Sequence, residues 1–186
     1  MAPGPPPPVL RVAPRQPEPA FVGRAREIAS LGEALAEGRL ATIIGPGGMG
    51  KTRLARRFCE ARAHAYPGGV WFCELSHGRT AEDICVALAR ALDLRGAPPT
   101  LVERLGDALA ARGACAVVLD GLDGLVAPAR SIVEAWLASA PRAVFVATSR
   151  ERLGAAEERV VDLPPLGLPP ESDEAVTLFV ERARAM

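Results

Sequence analysis

The stretch that decides the fold is Gly45-Pro46-Gly47-Gly48-Met49-Gly50-Lys51-Thr52, called the glycine loop below. It follows the apolar run Leu40–Ile44, which predicts a short strand, and it precedes Leu54 and Phe58 at helical spacing. Closely spaced glycines let the backbone curl so that successive N–H groups point inward, and the N-terminus of the following helix favours an anion. The stretch therefore predicts a strand–loop–helix unit that binds an anion.

The glycine loop matches the complete phosphate-binding pattern G-x-x-x-x-G-K-[ST]. In this pattern the lysine, here Lys51, reaches the β and γ phosphates, and the hydroxyl of Thr52 ligates Mg²⁺. Lys51 is also the one lysine among the 22 basic residues of the chain. The predicted phosphate-binding residues of this segment are Gly45, Pro46, Gly47, Gly48, Met49, Gly50, Lys51, Thr52 and Arg53.

The same stretch also matches the dinucleotide-binding pattern G-x-G-x-x-G, through Gly45, Gly47 and Gly50. Glu74, which follows the next predicted strand, would supply the acidic residue that this alternative requires. Lys51 and Thr52 have a role only in the phosphate-loop interpretation. A second element suited to phosphate and metal binding also follows downstream, and a dinucleotide fold would not require it. The sequence therefore favours the phosphate loop over the dinucleotide site.

The downstream element is Ala116-Val-Val-Leu-Asp120, four apolar residues that end in a carboxylate. A carboxylate at the C-terminal edge of a parallel strand points into the crevice where α/β sheets bind ligands. We expect Asp120 to hold Mg²⁺ together with Thr52. Asp123, three residues on, would either orient a water molecule for hydrolysis or cap the loop near Gly124.

A further apolar strand, Val144-Phe-Val-Ala-Thr-Ser, leads to Arg150. A guanidinium at this point of the sheet would sense the γ phosphate. The alternative is a surface arginine that pairs with Glu151 or another nearby acid. We favour the sensor role.

The fold class predicted from the alternation of strands and helices is a three-layer α/β sandwich with a mostly parallel, roughly five-stranded sheet. Helices are predicted around Ile28–Leu35, after the glycine loop, around Ile84–Leu92, after a capping box at Thr100 and Glu103, and over Pro128–Ser139. The strands are predicted at Leu40–Ile44, Val70–Cys73, Ala116–Leu119, Ala143–Ala147 and Arg159–Leu163.

Composition and charge narrow the class of protein. The chain of 186 residues carries 22 basic and 22 acidic side chains, so it lacks the basic excess that usually accompanies binding to nucleic acid or a membrane surface. Its four cysteines are widely spaced, which predicts buried or semi-buried free thiols in a reducing compartment. No apolar stretch resembles a signal peptide or a membrane span, and we expect a cytoplasmic protein.

Domain organisation follows from the prolines. Eight of the 18 prolines fall in the first 19 residues, which predicts a disordered tail or linker over residues 1–19. The nucleotide-binding domain is expected over residues 20–170. A last helix over residues 171–186, with Val176 and Phe179 on one face, would begin the next subdomain.

The ordered set of motifs resembles bacterial signal-transduction ATPases with numerous domains (STAND ATPases), which are relatives of the NB-ARC domains of plant resistance and apoptosome proteins. The resemblance covers roughly residues 20–185. It rests on Phe21-Val-Gly-Arg24, the glycine loop, Val118-Leu-Asp-Gly-Leu-Asp123, Ala147-Thr-Ser-Arg-Glu-Arg-Leu153, and the segment from Leu163 to Arg182. It implies that Val22, Gly23 and Arg24 line an adenine pocket and that Arg150 senses the γ phosphate of ATP.

Members of that family act as switches that exchange ADP for ATP and then open or oligomerise, which implies protein partners or further effector and sensor domains. Asp120 here precedes Gly121, where NB-ARC relatives often carry a second acid. The carboxylate that orients water is then either Asp123 or absent. The chain also ends before the family's helical and winged-helix subdomains, so we expect a fragment. Three hypotheses follow: a regulatory switch with slow or no hydrolysis, an active ATP-hydrolysing enzyme, and a degenerate protein-interaction module.

Overall fold

Alternating strands and helices make up the part of the chain that the computed structural model describes, which is residues 10–11, 23–94, 101–165 and 176–177. The strands are β1 (Leu10–Arg11), β2 (Leu40–Ile44), β3 (Val70–Glu74), β4 (Cys115–Asp120), β5 (Ala143–Ser149) and β6 (Glu158–Asp162). The helices are α1 (Ala25–Glu37), α2 (Lys51–Ala61), α3 (Ala81–Ala91), α4 (Leu101–Arg112) and α5 (Val126–Ser139), and a 3-10 turn spans Ala63–Ala65.

These strands form one sheet in the order β1-β3-β4-β5-β2-β6, and every neighbouring pair is parallel. The predicted three-layer α/β fold is confirmed, and the predicted strands coincide with β2 to β6 to within two residues at each end. The two-residue strand β1, which the sequence did not predict, pairs with the start of β3. It lies in the segment 1–19 that was predicted as a tail, and the other residues of that segment lie outside the described ones. Thr100 of the predicted capping box and most of the predicted last helix over residues 171–186 also lie outside them.

The two faces of the sheet bury separate hydrophobic clusters because neighbouring residues of a strand point to opposite faces. Val117 and Leu119 of β4 face α3, α4 and α5, whereas Ala116 and Val118 face α1 and α2. Trp136 of α5 is fully buried in the first cluster and stacks on Phe145 of β5 with 6.0 Å between ring centroids. Its Nε1–H donates to the carbonyl of Val102 at 3.0 Å, so the one polar group of this ring is satisfied.

The four cysteines are free and buried, as the sequence predicted. Burial raises the pKa of Cys59 and of Cys73 to about 12 and the pKa of Cys115 to about 11. The pKa of the Cys85 thiol is raised for the same reason. These thiols therefore stay protonated near neutral pH and pack as small apolar groups. Among the described residues, no helix has the length and apolar character needed to cross a lipid bilayer.

The order of the strands positions the site. Strand β5 lies between β2, which leads into the glycine loop, and β4, which ends at Asp120. The C-terminal ends of parallel strands meet at one edge of the sheet, so the polar residues that follow β2, β4, β5 and β6 converge there.

Thr42 of β2 allows the energetic cost of an unsatisfied buried hydroxyl to be measured. Its side chain is 0 % exposed, and its hydroxyl has no hydrogen-bond partner within the described part of the chain. We predict that Thr42→Val, which is nearly isosteric, raises the free energy of unfolding in urea by about 1 kcal/mol because it removes an unsatisfied buried hydroxyl.

The matched control is the same substitution at Thr148 of β5, a buried hydroxyl that takes part in two hydrogen bonds. Thr148→Val should lower the free energy of unfolding by roughly 1–3 kcal/mol because it leaves buried polar groups unpaired. Equal destabilisation by both variants would contradict the assignment of an unpaired Thr42 hydroxyl.

Candidate functional site

The glycine loop joins the C-terminal end of β2 to the N-terminal end of α2, as the sequence predicted. Gly48 and Gly50 adopt the left-handed region with φ of 79° and 91°, and nothing lies within 4 Å of the position that a side chain would take at either residue. Glycine is needed at these two positions for the backbone conformation. The first turn of α2 begins directly at Lys51, so its free N–H groups and the positive end of its dipole lie at the loop.

The side chain of Lys51 folds back over the glycine loop. Its Nζ donates to the carbonyl oxygen of Gly45 at 2.7 Å and to that of Pro46 at 3.0 Å. An ammonium has three N–H donors and can exchange such carbonyl contacts for a phosphate oxygen. The lysine therefore lies at the loop, and its predicted contact with the β and γ phosphates stays a prediction.

Asp120 is the centre of a hydrogen-bond network that joins α2, β4 and β5. The Thr52 hydroxyl donates to its carboxylate, with 2.8 Å to Oδ1 and 3.0 Å to Oδ2, and the Thr148 hydroxyl donates to Oδ1 at 2.6 Å. Asp120 is only 4 % exposed. The Gly121 N–H in turn donates to the Thr148 hydroxyl at 2.8 Å. The structure thus brings together Thr52 and Asp120, which the sequence predicted to share a Mg²⁺ ion.

This pair fits a divalent cation in the chemistry of its donors. Carboxylate and hydroxyl oxygens are the hard ligands that Mg²⁺ takes in proteins. Thr52 lies at the start of α2, and Asp120 lies at the C-terminal end of β4, so both groups are beside the glycine loop. The sequence did not predict that Thr148 belongs to this network. The available signal was its place directly after the apolar residues of β5, at the end of the strand that faces the site.

Asp123 and Arg150 form an ion pair at the same edge of the sheet. Asp123 Oδ1 accepts the backbone N–H of Arg150 at 2.7 Å, and Oδ2 lies 3.1 Å from Arg150 Nε. Nη2 of Arg150 lies 3.4 Å from the point at which a side chain on Gly47 would begin. Arg150 therefore lies beside the glycine loop, and its described partner is Asp123. The predicted roles in sensing phosphate and orienting water stay predictions.

Arg24 directly precedes α1 as its N-cap residue, in a left-handed conformation with φ of 66°, and is 6 % exposed. Its Nη1 donates to Glu27 Oε1 at 2.6 Å and to the carbonyl of Pro164 at 2.7 Å. Gly23 precedes it with φ of 71°, and Val22 lies outside the described residues. Arg24 thus fixes the segment that follows β6 against the start of α1.

That segment forms one wall of a cleft of about 480 Å³ next to the glycine loop. The sequence did not single out the residues after β6 as part of a site. The cleft is lined by Ile44, Gly45, Pro46, Arg150, Asp162, Leu163, Pro164 and Pro165.

The remaining predicted residues lie around the loop. Met49 packs against the hydrophobic cluster beneath α1 and α2, and Arg53 follows Thr52 in the first turn of α2. Glu74, the acid required by the dinucleotide alternative, ends β3, which β4 and β5 separate from the strand that enters the glycine loop. Since the dinucleotide site uses an acid on the strand next to its glycine loop, this order of strands disfavours that alternative.

Comparison with known proteins agrees with this fold. The sequence pattern of a family described as an AAA domain matches residues 35–147, from the end of α1 through most of β5. An uncharacterized protein of Mycobacterium tuberculosis is 35% identical over 170 residues, which cover 89% of this chain and 41% of that protein. A candidate HTH-type transcriptional regulator of the same organism is 33% identical over 150 residues, which cover 80% of this chain and 16% of the regulator. The chain thus spans about two fifths of the length of the first relative.

Two solved structures share the fold at low sequence identity. Cdc6p from Pyrobaculum aerophilum superposes with a TM-score of 0.64 at 19% identity, over 90% of this chain and 52% of that one. A STAND protein with a tetratricopeptide repeat sensor from Pyrococcus horikoshii superposes with a TM-score of 0.54 at 21% identity, over 89% of this chain and 26% of that one.

The Thr52–Asp120 pair generates a prediction about metal dependence. We predict that Asp120→Asn weakens nucleotide affinity in the presence of Mg²⁺ by about tenfold or more and changes it little in EDTA, because the carboxylate acts through the cation. Titration of a fluorescent adenine nucleotide under both conditions measures the effect. Asp107→Asn, on the exposed side of α4, is the matched control. An equal loss with and without Mg²⁺ would contradict the assigned role.

Proposed function

The chain belongs to the AAA domain family, and on that premise we propose that it is the adenine nucleotide-binding switch domain of a signal-transduction ATPase. In this proposal the domain binds ATP or ADP with Mg²⁺ and hydrolyses ATP slowly or not at all. The observation that carries the proposal is the hydrogen bond from Thr52 to the buried carboxylate of Asp120, directly beside the loop that begins α2.

The phosphates would lie in the glycine loop. Gly48 and Gly50 shape the backbone, and α2 directs the positive end of its dipole at the loop. Lys51 supplies a positive charge, and its Nζ donates to two loop carbonyls. Thr52 and Asp120 would hold Mg²⁺, which when bound neutralises phosphate charge and orients the polyphosphate. A degenerate interaction module would have no need to keep this complete set, which disfavours that hypothesis.

The nucleoside would occupy the cleft on the β6 side of the glycine loop. The cleft combines apolar surface from Ile44, Leu163 and Pro165 with the carboxylate of Asp162, a combination suited to a base and a ribose. Arg24 supports this wall through the carbonyl of Pro164. We therefore assign Gly23 and Arg24 to the nucleoside end of the site, together with Val22, and we take adenine as the base from the family resemblance.

The regulatory part of the proposal rests on relatives. One relative carries a name that describes a candidate HTH-type transcriptional regulator, and the chain corresponds to about a sixth of its length. We propose that this domain belongs to the STAND or NB-ARC type within its family and that it acts in the cytoplasm, where thiols remain reduced. In that role its nucleotide state would control further domains or protein partners, by opening or by oligomerisation.

The loop lysine gives the direct test. We predict that Lys51→Ala lowers the affinity for ATP and ADP by about 100-fold, because charge-assisted hydrogen bonds to phosphate contribute roughly 1.5–3 kcal/mol each. Isothermal titration measures the affinity, and circular dichroism checks that the fold is intact. Arg142→Ala, which removes an exposed cation at the opposite edge of the sheet, is the matched control. Unchanged affinity in Lys51→Ala would refute the proposed site.

The second candidate function is an ATP-hydrolysing enzyme, which the carboxylate of Asp123 near Arg150 would support. We predict that steady-state phosphate release stays well below about one per second, the lower end of typical enzyme turnover. The measurement uses saturating Mg²⁺-ATP, with Lys51→Ala as the background control. Faster release would favour the enzyme over the switch.

A further inference from the structure

We propose that Asp123 is a positioning residue, which holds the guanidinium of Arg150 at the glycine loop so that Arg150 can distinguish a nucleoside triphosphate from a diphosphate. This inference rests on the proposed nucleotide-binding function and deepens it. It assigns Asp123 to the selection of the nucleotide and not to the activation of water.

The carboxylate of Asp123 contacts Arg150 at two points. Oδ1 accepts from the backbone N–H at 2.7 Å, and Oδ2 pairs with the side-chain Nε at 3.1 Å. The first contact fixes where the chain leaves β5, and the second fixes the direction of the long arginine side chain. The backbone contact also fixes the orientation of the carboxylate, so the Nε contact holds the guanidinium against a fixed partner.

The ion pair leaves the outer end of the guanidinium pointing to the loop. Asp123 contacts Nε, whereas Nη2 lies 3.4 Å from the position at which a side chain on Gly47 would begin. A guanidinium carries five N–H donors in a rigid plane, so the Nε–H can bind a carboxylate while the Nη groups bind a phosphate. The pairing with Asp123 is therefore compatible with contact to a terminal phosphate.

The same contacts argue against Asp123 as a base. Each of its oxygens already accepts a hydrogen bond or an ion pair from Arg150, while a general base must present an oxygen to the attacking water. The pair also adds little to the stability of the fold, because the side chains are 68 % and 42 % exposed for Arg150 and Asp123. An exposed, doubly anchored pair of small energetic value beside a ligand loop is better explained by positioning than by stability.

The test is a double-mutant cycle on nucleotide selectivity. The full chain is titrated with Mg²⁺-ADP and with a non-hydrolysable Mg²⁺-ATP analogue, in the wild type, Asp123→Ala, Arg150→Ala and the double variant. We expect Arg150→Ala to weaken the triphosphate analogue by about tenfold and ADP by less than twofold. Asp123→Ala should weaken the triphosphate by about three- to tenfold, and it should add nothing in the Arg150→Ala background.

Two controls separate this role from others. Glu151→Ala removes an exposed acid that adjoins Arg150 in the chain, and it should leave both affinities unchanged. Asp123→Asn keeps an acceptor for the backbone N–H and guards against a local loss of fold, which thermal denaturation checks. The Asp123→Asn variant should retain part of the selectivity for the triphosphate analogue over ADP.

Several results would overturn the inference. They are an Asp123→Ala variant with unchanged triphosphate affinity, an equal loss for both nucleotides, a further loss in the Arg150→Ala background, or an Asp123→Asn variant that loses hydrolysis while its affinities stay unchanged. If the wild type binds both nucleotides equally, this inference fails and the proposed function stands. If the wild type binds neither nucleotide, both fail.

Discussion

The buried carboxylate of Asp120 is the interaction on which the site depends. A carboxylate that is almost removed from water must be hydrogen-bonded, and it is satisfied here by one hydroxyl from α2 and one from β5. Thr52 can reach it only if the glycine loop brings the first turn of α2 over the end of β4. The geometry of the loop, the order of the strands and the candidate metal site are therefore one linked arrangement.

Strand β5 occupies the central place in that arrangement. It lies between the strand that enters the glycine loop and the strand that ends at Asp120. It contributes Thr148 to the buried network, and Arg150, the residue directly after it, lies at the exposed rim. Thr148 is inside and held by two contacts, whereas Arg150 is outside and held by an ion pair with Asp123. The end of β5 and the residue that follows it thus supply one side chain to the buried part of the site and one to its exposed rim.

The hydrophobic clusters reach the edge of the sheet where the loops converge. Met49 of the glycine loop packs against the cluster under α1 and α2, Leu163 after β6 belongs to that cluster, and Leu122 after β4 belongs to the cluster on the other face. The packing of the core and the conformation of these loops are therefore linked. Arg24 extends this edge to the other side of the glycine loop, since it ties the start of α1 to the segment after β6. The cleft beside that segment is accordingly held from two directions, by α1 and by the loop.

Sequence alone predicted the strands β2 to β6, the α/β class and the glycine loop, because each leaves a local pattern. It also predicted the pairing of Thr52 with Asp120, because the two motifs that carry these residues share a Mg²⁺ ion in phosphate-binding folds. Short apolar runs bounded by turn residues predict buried strands, and Gly48 and Gly50 are needed for the backbone conformation of the glycine loop. Only the tertiary structure decided the order of the strands, the place of Thr148 in the Asp120 network, the contact of Arg150 with Asp123 rather than with Glu151, and the cleft formed by Asp162–Pro165. Each of these joins residues that lie between 27 and 140 positions apart or depends on which strands become neighbours. No local pattern encodes such a contact, since it arises from packing of the whole sheet. For this reason the sequence could indicate Arg150 and Asp123 as candidate site residues but could not show that they are partners.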